Sequence, residues 1–309
     1  MDFYHIQYLN CVQVQTLYFL KEQGVSIEFL YSQSFESSDQ IYHDAIINKE
    51  SKYDFSNNIR MCDLELLNVN RNRETFNTFL DARDYIHSML WKRKTLFIQV
   101  DEFYLPYSNQ FEKFHTNHSN ILLDYSIENE QYNYQIKDNV GLHFGEYSYS
   151  DQVLMMAFDN TTCLKHVTDY TINLQDAVED LKLEFRKKTR DYFKGFNDNG
   201  LLYKKFLELL NNGTDQEIAN ELEQYGNAFG LISGSRSAFN SFLCIVYKDD
   251  NIDFESLAEC FKTAYVLMVS LYRAIYTKQI QREQFHHHCM KIMDSELRFL
   301  NNSKNSLLM

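Results

Sequence analysis

Proline is almost missing from this chain. Pro106 is the only one in 309 residues, just as Trp91 is the only tryptophan. There is no basic tail and no long lysine or arginine run, and 43 acidic residues against 30 basic ones leave a formal net charge of −13. That balance argues against nucleic acid as the main partner, because neutralising phosphates requires clustered positive charge. The six cysteines, Cys11, Cys62, Cys163, Cys244, Cys260 and Cys289, are scattered without a Cys-x-x-Cys pair. Reduced thiols in the cytoplasm are the expectation, not a disulfide framework. No apolar run reaches membrane-spanning length, and the N-terminus lacks a positive segment followed by an apolar one, so no membrane association is expected. A Walker lysine and Rossmann glycine spacing are also absent.

What is present is aromatic and acidic. The chain carries 22 Tyr and 24 Phe, with 44% hydrophobic and 24% charged residues, the proportions of a globular protein long enough for one large or two ordinary domains. Abundant Asn, Ile, Lys and Tyr read as a genome-wide compositional bias. Net acidity is compatible with a cationic small substrate such as an amine. Two small basic clusters stand out, Lys92-Arg93-Lys94 and Arg186-Lys187-Lys188 with Arg190.

The pattern predicts an α+β domain over 1–165 followed by a helical domain over 166–309. A helix runs from about Cys11 to Gly24, with Asn10 as its cap. Helices are expected at Asp39–Ile47 and Glu74–Leu90, and a strand at Thr95–Val100. Strands follow at Ser119–Tyr125, Gln131–Ile136 and Gly141–Tyr149, the first two joined by a turn at 127–130. A capped short helix should begin at Asp151. Beyond 173, apolar spacing predicts helices at Asn173–Phe196, Leu201–Asn212, Asp215–Phe229, Ser235–Tyr247, Asp253–Tyr276 and Gln281–Leu300.

The candidate chemistry centres on residues 97–138. His118 precedes the apolar strand Ile121-Leu122-Leu123, and Asp138 ends a later strand, an arrangement by which a carboxylate orients an imidazole. Cys11 is the candidate nucleophile. A lone cysteine ordinarily reads as a small buried hydrophobe, but a helix start favours a thiolate. His115 is the rival base and Asp124 the rival acid. Backbone N–H groups at the helix start and the Gln7 amide are oxyanion candidates, although Gln7 reads equally well as a surface glutamine. Phe103, Tyr104 and Tyr107 around Pro106 either line an acyl pocket or pack the loop onto the sheet. Gly230-Leu-Ile-Ser-Gly234-Ser-Arg236 reads as a tight turn whose Arg236, at a helix N-terminus, either meets an anionic or carbonyl group or stays on the surface. Consecutive residues on a helix point in different directions, so His286-His287-His288-Cys289 reads as a helix face and no metal is assigned.

The segment Asp101-x-x-Tyr104-Leu-Pro-Tyr107, a loop, His118 before an apolar strand and an Asp-Tyr resembles the N-terminal domain of the butirosin biosynthesis protein H type. Ile232-Ser-Gly-Ser-Arg236 followed by Phe239 and Phe242-Leu243 is similar to a segment of the same proteins. Asn117 stands where that family often has a small residue, and Leu123-Asp124-Tyr125 replaces its usual glycine. The resemblance implies a papain-like fold of the cysteine protease type, completed by the helical domain. It implies Cys11 as nucleophile, His118 as base and Asp138 as orienting acid. The implied activity moves an acyl group from an acyl or peptidyl carrier protein onto a primary amine, such as a diamine, in thiotemplated secondary metabolism. Composition points within the family toward a closthioamide-type amide synthetase. Phosphopantetheine would enter on the carrier, and no cofactor of the protein's own is implied. A cysteine peptidase or amidase with the same triad, and a non-catalytic binding protein, are the alternatives.

Overall fold

Leu96–Asp101 is buried at all six positions, which a strand tolerates only when both its faces are covered. The computed structural model, which describes residues 4–140, 143–173 and 178–308, places this strand near the middle of a six-stranded antiparallel sheet. The chain divides into two units. A sheet unit comprises Cys11–Val25 and Leu64–Gln175, and a helical unit comprises Met1–Asn10, Ser26–Asp63 and Asp176–Met309. The expected division at 165/166 therefore falls differently here. The last strand stays with the sheet, whose ladder it completes, and residues 1–10 and 26–63 go with the helices.

The sheet unit contains α1 (Cys11–Glu22), β1 (Val69–Thr75), α3 (Phe79–Trp91), β2 (Leu96–Asp101), β3 (Asn117–Glu128), β4 (Gln131–Val140), β5 (His143–Ser150), α4 (Asp151–Asp159) and β6 (His166–Ile172). Strand order is β1-β6-β2-β3-β4-β5. Alternation along β2 divides its side chains between two faces. Ile98 and Val100 join a core built with Phe79, Ala82 and Ile86 of α3 and Leu154 and Phe158 of α4. Phe97 instead meets Phe19 of α1, with ring centroids 5.5 Å apart.

Two elements were not expected. The helix predicted from Glu74 starts only at Phe79, after a capping box between Thr78 and Asp81, and residues 69–75 form an edge strand. Six of its seven residues are exposed, so it carries no apolar alternation to read. β6 was likewise unanticipated. The β3–β4 turn is a hairpin as expected, with Asn129 and Glu130 both at positive φ, 50° and 64°. Of the strand expected at 141–149, Gly141 and Leu142 lie outside the described residues, as do 174–177 of the helix expected from Asn173.

The helical unit contains α2 (Ser38–Ile41), which continues as a π-helical turn over Tyr42–Ile47, then α5 (Val178–Gly195), α6 (Leu201–Asn212), α7 (Asp215–Val246), α8 (Phe254–Thr277) and α9 (Arg282–Leu308). α7 is one 32-residue helix where two helices and a turn were expected. Its glycines permit close packing, not a turn. A Cβ at Gly230 would lie 3.0 Å from Met268 Sδ, and one at Gly234 would lie 2.5 Å from Tyr8 Cβ and 2.8 Å from the Tyr8 nitrogen. Among the described residues no helix is long and apolar enough to cross a membrane.

Candidate active site

Strand register sets the site. In the β3–β4 ladder Ile121 pairs with Lys137. Continuing by one residue sets Asp138 opposite Asn120, and His118 becomes its diagonal neighbour on the same face, within reach of a long side chain. A one-residue slip would turn Asp138 to the other face. The imidazole Nε2 accordingly lies 2.8 Å from Asp138 Oδ1 and 3.0 Å from Oδ2. Both side chains are buried, Asp138 completely.

Cys11 is the first residue of α1 and half-buried. Its sulfur is near enough to His118 to act on the imidazole. Because the Asp138 contacts occupy Nε2, Nδ1 is the ring nitrogen left to work on the sulfur. Burial pulls the imidazole pKa down, but the hydrogen bonds and charges of Asp138 and Cys11 outweigh it, holding His118 well above its ordinary value. The three residues read from the sequence therefore meet. An acid, an imidazole and a thiol in this order can generate a thiolate, accept a proton and return it.

Asp138 is held from several sides. Tyr107 Oη donates to Oδ2, and Asn120 Nδ2 donates to Tyr107 Oη at 3.0 Å. Gln15 Nε2 donates to Asp138 Oδ1 at 2.6 Å and also to the Ser119 carbonyl. The Asn139 amide donates to Oδ1 at 2.7 Å. Tyr107 is fixed in turn by stacking on Tyr147, with centroids 4.0 Å apart and planes 14° off parallel. Burial, then the charge of Asp138, pushes its hydroxyl pKa far up, so the phenol remains a donor.

The loop that delivers Tyr107 is tied at its base by Asp101. This carboxylate accepts from the Phe103 and Thr116 amides, both at 3.1 Å, and pairs with His115 Nδ1 at 2.6 Å. His115, the rival base, is thus engaged by Asp101 and stacked on Phe103. The rival acid Asp124 is exposed, beside a bulge in β3, and accepts from the Tyr125 amide. Tyr104 is half-buried against the core of the sheet unit. Asn117 clasps the loop after α4, accepting from Thr161 Oγ1 at 2.8 Å and the Thr162 amide at 3.0 Å.

Arg236 departs from its expected setting. It lies in mid-helix and is fully buried in the helical unit. Its Nε donates to Glu296 Oε2 at 3.0 Å and its guanidinium lies 3.8 Å from the centre of the Phe35 ring. Gln7 closes a short 3-10 turn, His5–Gln7, in the helical unit. His286, His287 and His288 lie on α9, where His287 is exposed and the other two half-buried. Among the described residues, the cluster whose ligand atoms could share an ion is Glu102, His118 and Asp138, all within 4.8 Å of one another.

Three participants escaped the sequence reading: Gln15, Asn120 and Glu102. Gln15 had a usable signal, since it follows Cys11 by four residues and so shares its helix face. Glu102 is half-buried, and burial first, then Asp138, pushes its carboxyl pKa up while His118 pulls it down.

No family model matches the chain. Among characterised proteins it is similar to the ribostamycin:4-(γ-L-glutamylamino)-(S)-2-hydroxybutanoyl-[BtrI acyl-carrier protein] 4-(γ-L-glutamylamino)-(S)-2-hydroxybutanoate transferase of Niallia circulans. Identity is 26% over 243 residues, 78% of this chain and 77% of that one. The likeness read over residues 97–138 thus extends across most of both sequences, and the relative is by its name a transferase of an acyl group held on a carrier protein.

Proposed function

We propose that this protein is a cysteine-dependent acyltransferase with a papain-like catalytic arrangement, forming an amide from a carrier-protein thioester and a primary amine. The observation that carries the reading is His118 held between Asp138 and Cys11 in a chain similar to a carrier-protein acyltransferase. In the first half-reaction the Cys11 thiolate attacks the thioester carbonyl. The C–S bond to phosphopantetheine breaks, and the departing thiolate takes the proton from His118. In the second, the amine attacks acyl-Cys11 and gives a proton to His118, and the Cys11 thiolate leaves. Thioester exchange is close to energy-neutral and amide formation is downhill, so neither step calls for ATP. The first-turn N–H groups of α1, which have no intrahelical acceptors, would face the oxyanion. A diamine acceptor and a closthioamide-type acyl chain are its narrower form, and the cytoplasm, where carrier proteins are loaded, is its setting.

Intact-protein mass spectrometry after mixing with an acyl-loaded carrier tests the proposal. The wild type should gain one acyl mass, lost on adding a primary amine as the amide appears. Cys11→Ala should gain none, and His118→Ala should acylate at least ~100-fold more slowly, as loss of a general base predicts. Full turnover by either variant would remove the mechanism.

A further inference from the structure

The two basic clusters conspicuous in the sequence are neutralised in part, at three of their seven side chains. Arg186 pairs with Asp250 at 2.5 Å, Lys188 with Asp63 at 3.1 Å and Lys94 with Asp169 at 3.3 Å. The edge strand β1 is different. Arg71 and Arg73 are exposed, and among the described residues neither makes an ion pair.

Register places these arginines on one face. Arg71 lies opposite Tyr170, Arg73 opposite Thr168, and Thr75 opposite His166. Directly opposed residues share a face, so Arg71, Arg73 and His166 stand on the side of the sheet that bears Tyr170. That is also the face of the Cys11 helix, because Tyr170 Oη and Thr16 Oγ1 of α1 are 3.2 Å apart and the Phe19 ring lies against Tyr170. The acids of this edge point the other way. Glu74 and Asp169 have the opposite parity, and Asp169 is engaged there by Lys94 and Asn72. Burial, then Arg71, pushes the Arg73 pKa down, and burial, then Arg73 with Arg71, does the same to His166. The three groups thus share one local field.

We propose that Arg71 and Arg73, with His166 beside them, form the surface on which an acidic acyl carrier protein docks to present its thioester to Cys11. The proposal rests on the carrier-dependent reading above. In a chain of net charge −13 an acidic partner is repelled over most of the surface. An uncompensated positive patch on the face of the nucleophile's helix gives it a favoured approach, chiefly through association rate. The competing role for charged side chains on an edge strand is to block sheet-to-sheet association.

Two donors of the same acyl group separate these cases, one on the carrier protein and one on N-acetylcysteamine, which has no protein surface. Arg71→Glu/Arg73→Glu should raise KM for the carrier-bound donor by ~10-fold or more at low salt and leave the small thioester unchanged. Salt should raise the wild-type carrier KM toward that of the variant. Lys92→Glu/Arg93→Glu, on the turn after α3, should change neither. Unchanged carrier KM in the β1 variant would overturn the docking surface, and new self-association would then assign the arginines to edge protection. Equal loss with both donors, alongside an altered circular dichroism spectrum or not, would also overturn it. If neither donor acylates wild-type Cys11, the acyltransfer reading itself falls, an outcome distinct from the others.

Discussion

Tyr107 carries two readings that a single atom can separate. As a pocket-lining side chain it would contact the acyl group. As found, its hydroxyl donates to Asp138 and its ring stacks on Tyr147. Tyr107→Phe keeps the ring and deletes one hydrogen bond to a buried carboxylate, a change worth about 1.5–3 kcal/mol. The expected result is a kcat for Cys11 acylation lowered by ~10-fold or more with KM little altered. A shift confined to KM would return the residue to the pocket. Cys11, His118 and Asp138 stand out in the sequence because each combines a reactive side chain with a recognisable place on a helix or strand. The support around Asp138 does not, because a glutamine within α1 or an asparagine in a strand looks like any polar residue until burial is known. His115 and His118 likewise differ only in that strand pairing turns one toward Asp138 and leaves the other with Asp101.

Among the elements, α7 shows where helical punctuation misleads. Gly230 and Gly234 looked like a turn, since glycine in a helix interior costs about 1 kcal/mol relative to alanine. The cost is offset by the approach of Met268 and of the Tyr8 backbone. Gly234→Ala should therefore destabilise despite its better helix propensity, because the new methyl meets Tyr8 Cβ at 2.5 Å and a backbone nitrogen at 2.8 Å. A loss of about 1–3 kcal/mol should appear as a lower denaturation midpoint, and an unchanged or raised midpoint would contradict the packing argument. β1 was hidden for the opposite reason, with polar residues on both faces of an edge. The periodic helices α6, α8 and α9 and the buried strand β2 were legible because one-sided or complete burial imposes a period on the sequence.

At the scale of the whole molecule, folding of the helical unit is linked to pH through Glu36. Its carboxylate is buried, accepts from Tyr8 Oη and from both nitrogens of Asn58, the latter at 2.6 Å, and its pKa is pushed by burial from 4.5 up to about 7. A carboxyl whose folded pKa is raised favours folding most when protonated. Its contribution is complete below pH 4.5 and is lost as pH rises toward 7, a change on the order of 3 kcal/mol. Glu36→Gln should accordingly gain stability relative to wild type between pH 5 and 8 in chemical denaturation, with the gap closing near pH 4. A difference independent of pH would dismiss the linkage. The sheet unit holds a constraint of another kind. One turn of α1 bears both the sulfur of Cys11 and the Gln15 amide that grips Asp138, so thiol and tether ride on a single rod. Turning that rod by one residue, about 100°, would carry off thiol and tether together. On the proposed chemistry, a loosened helix would then leave an inert protein, not one that spills its activated acyl group to water.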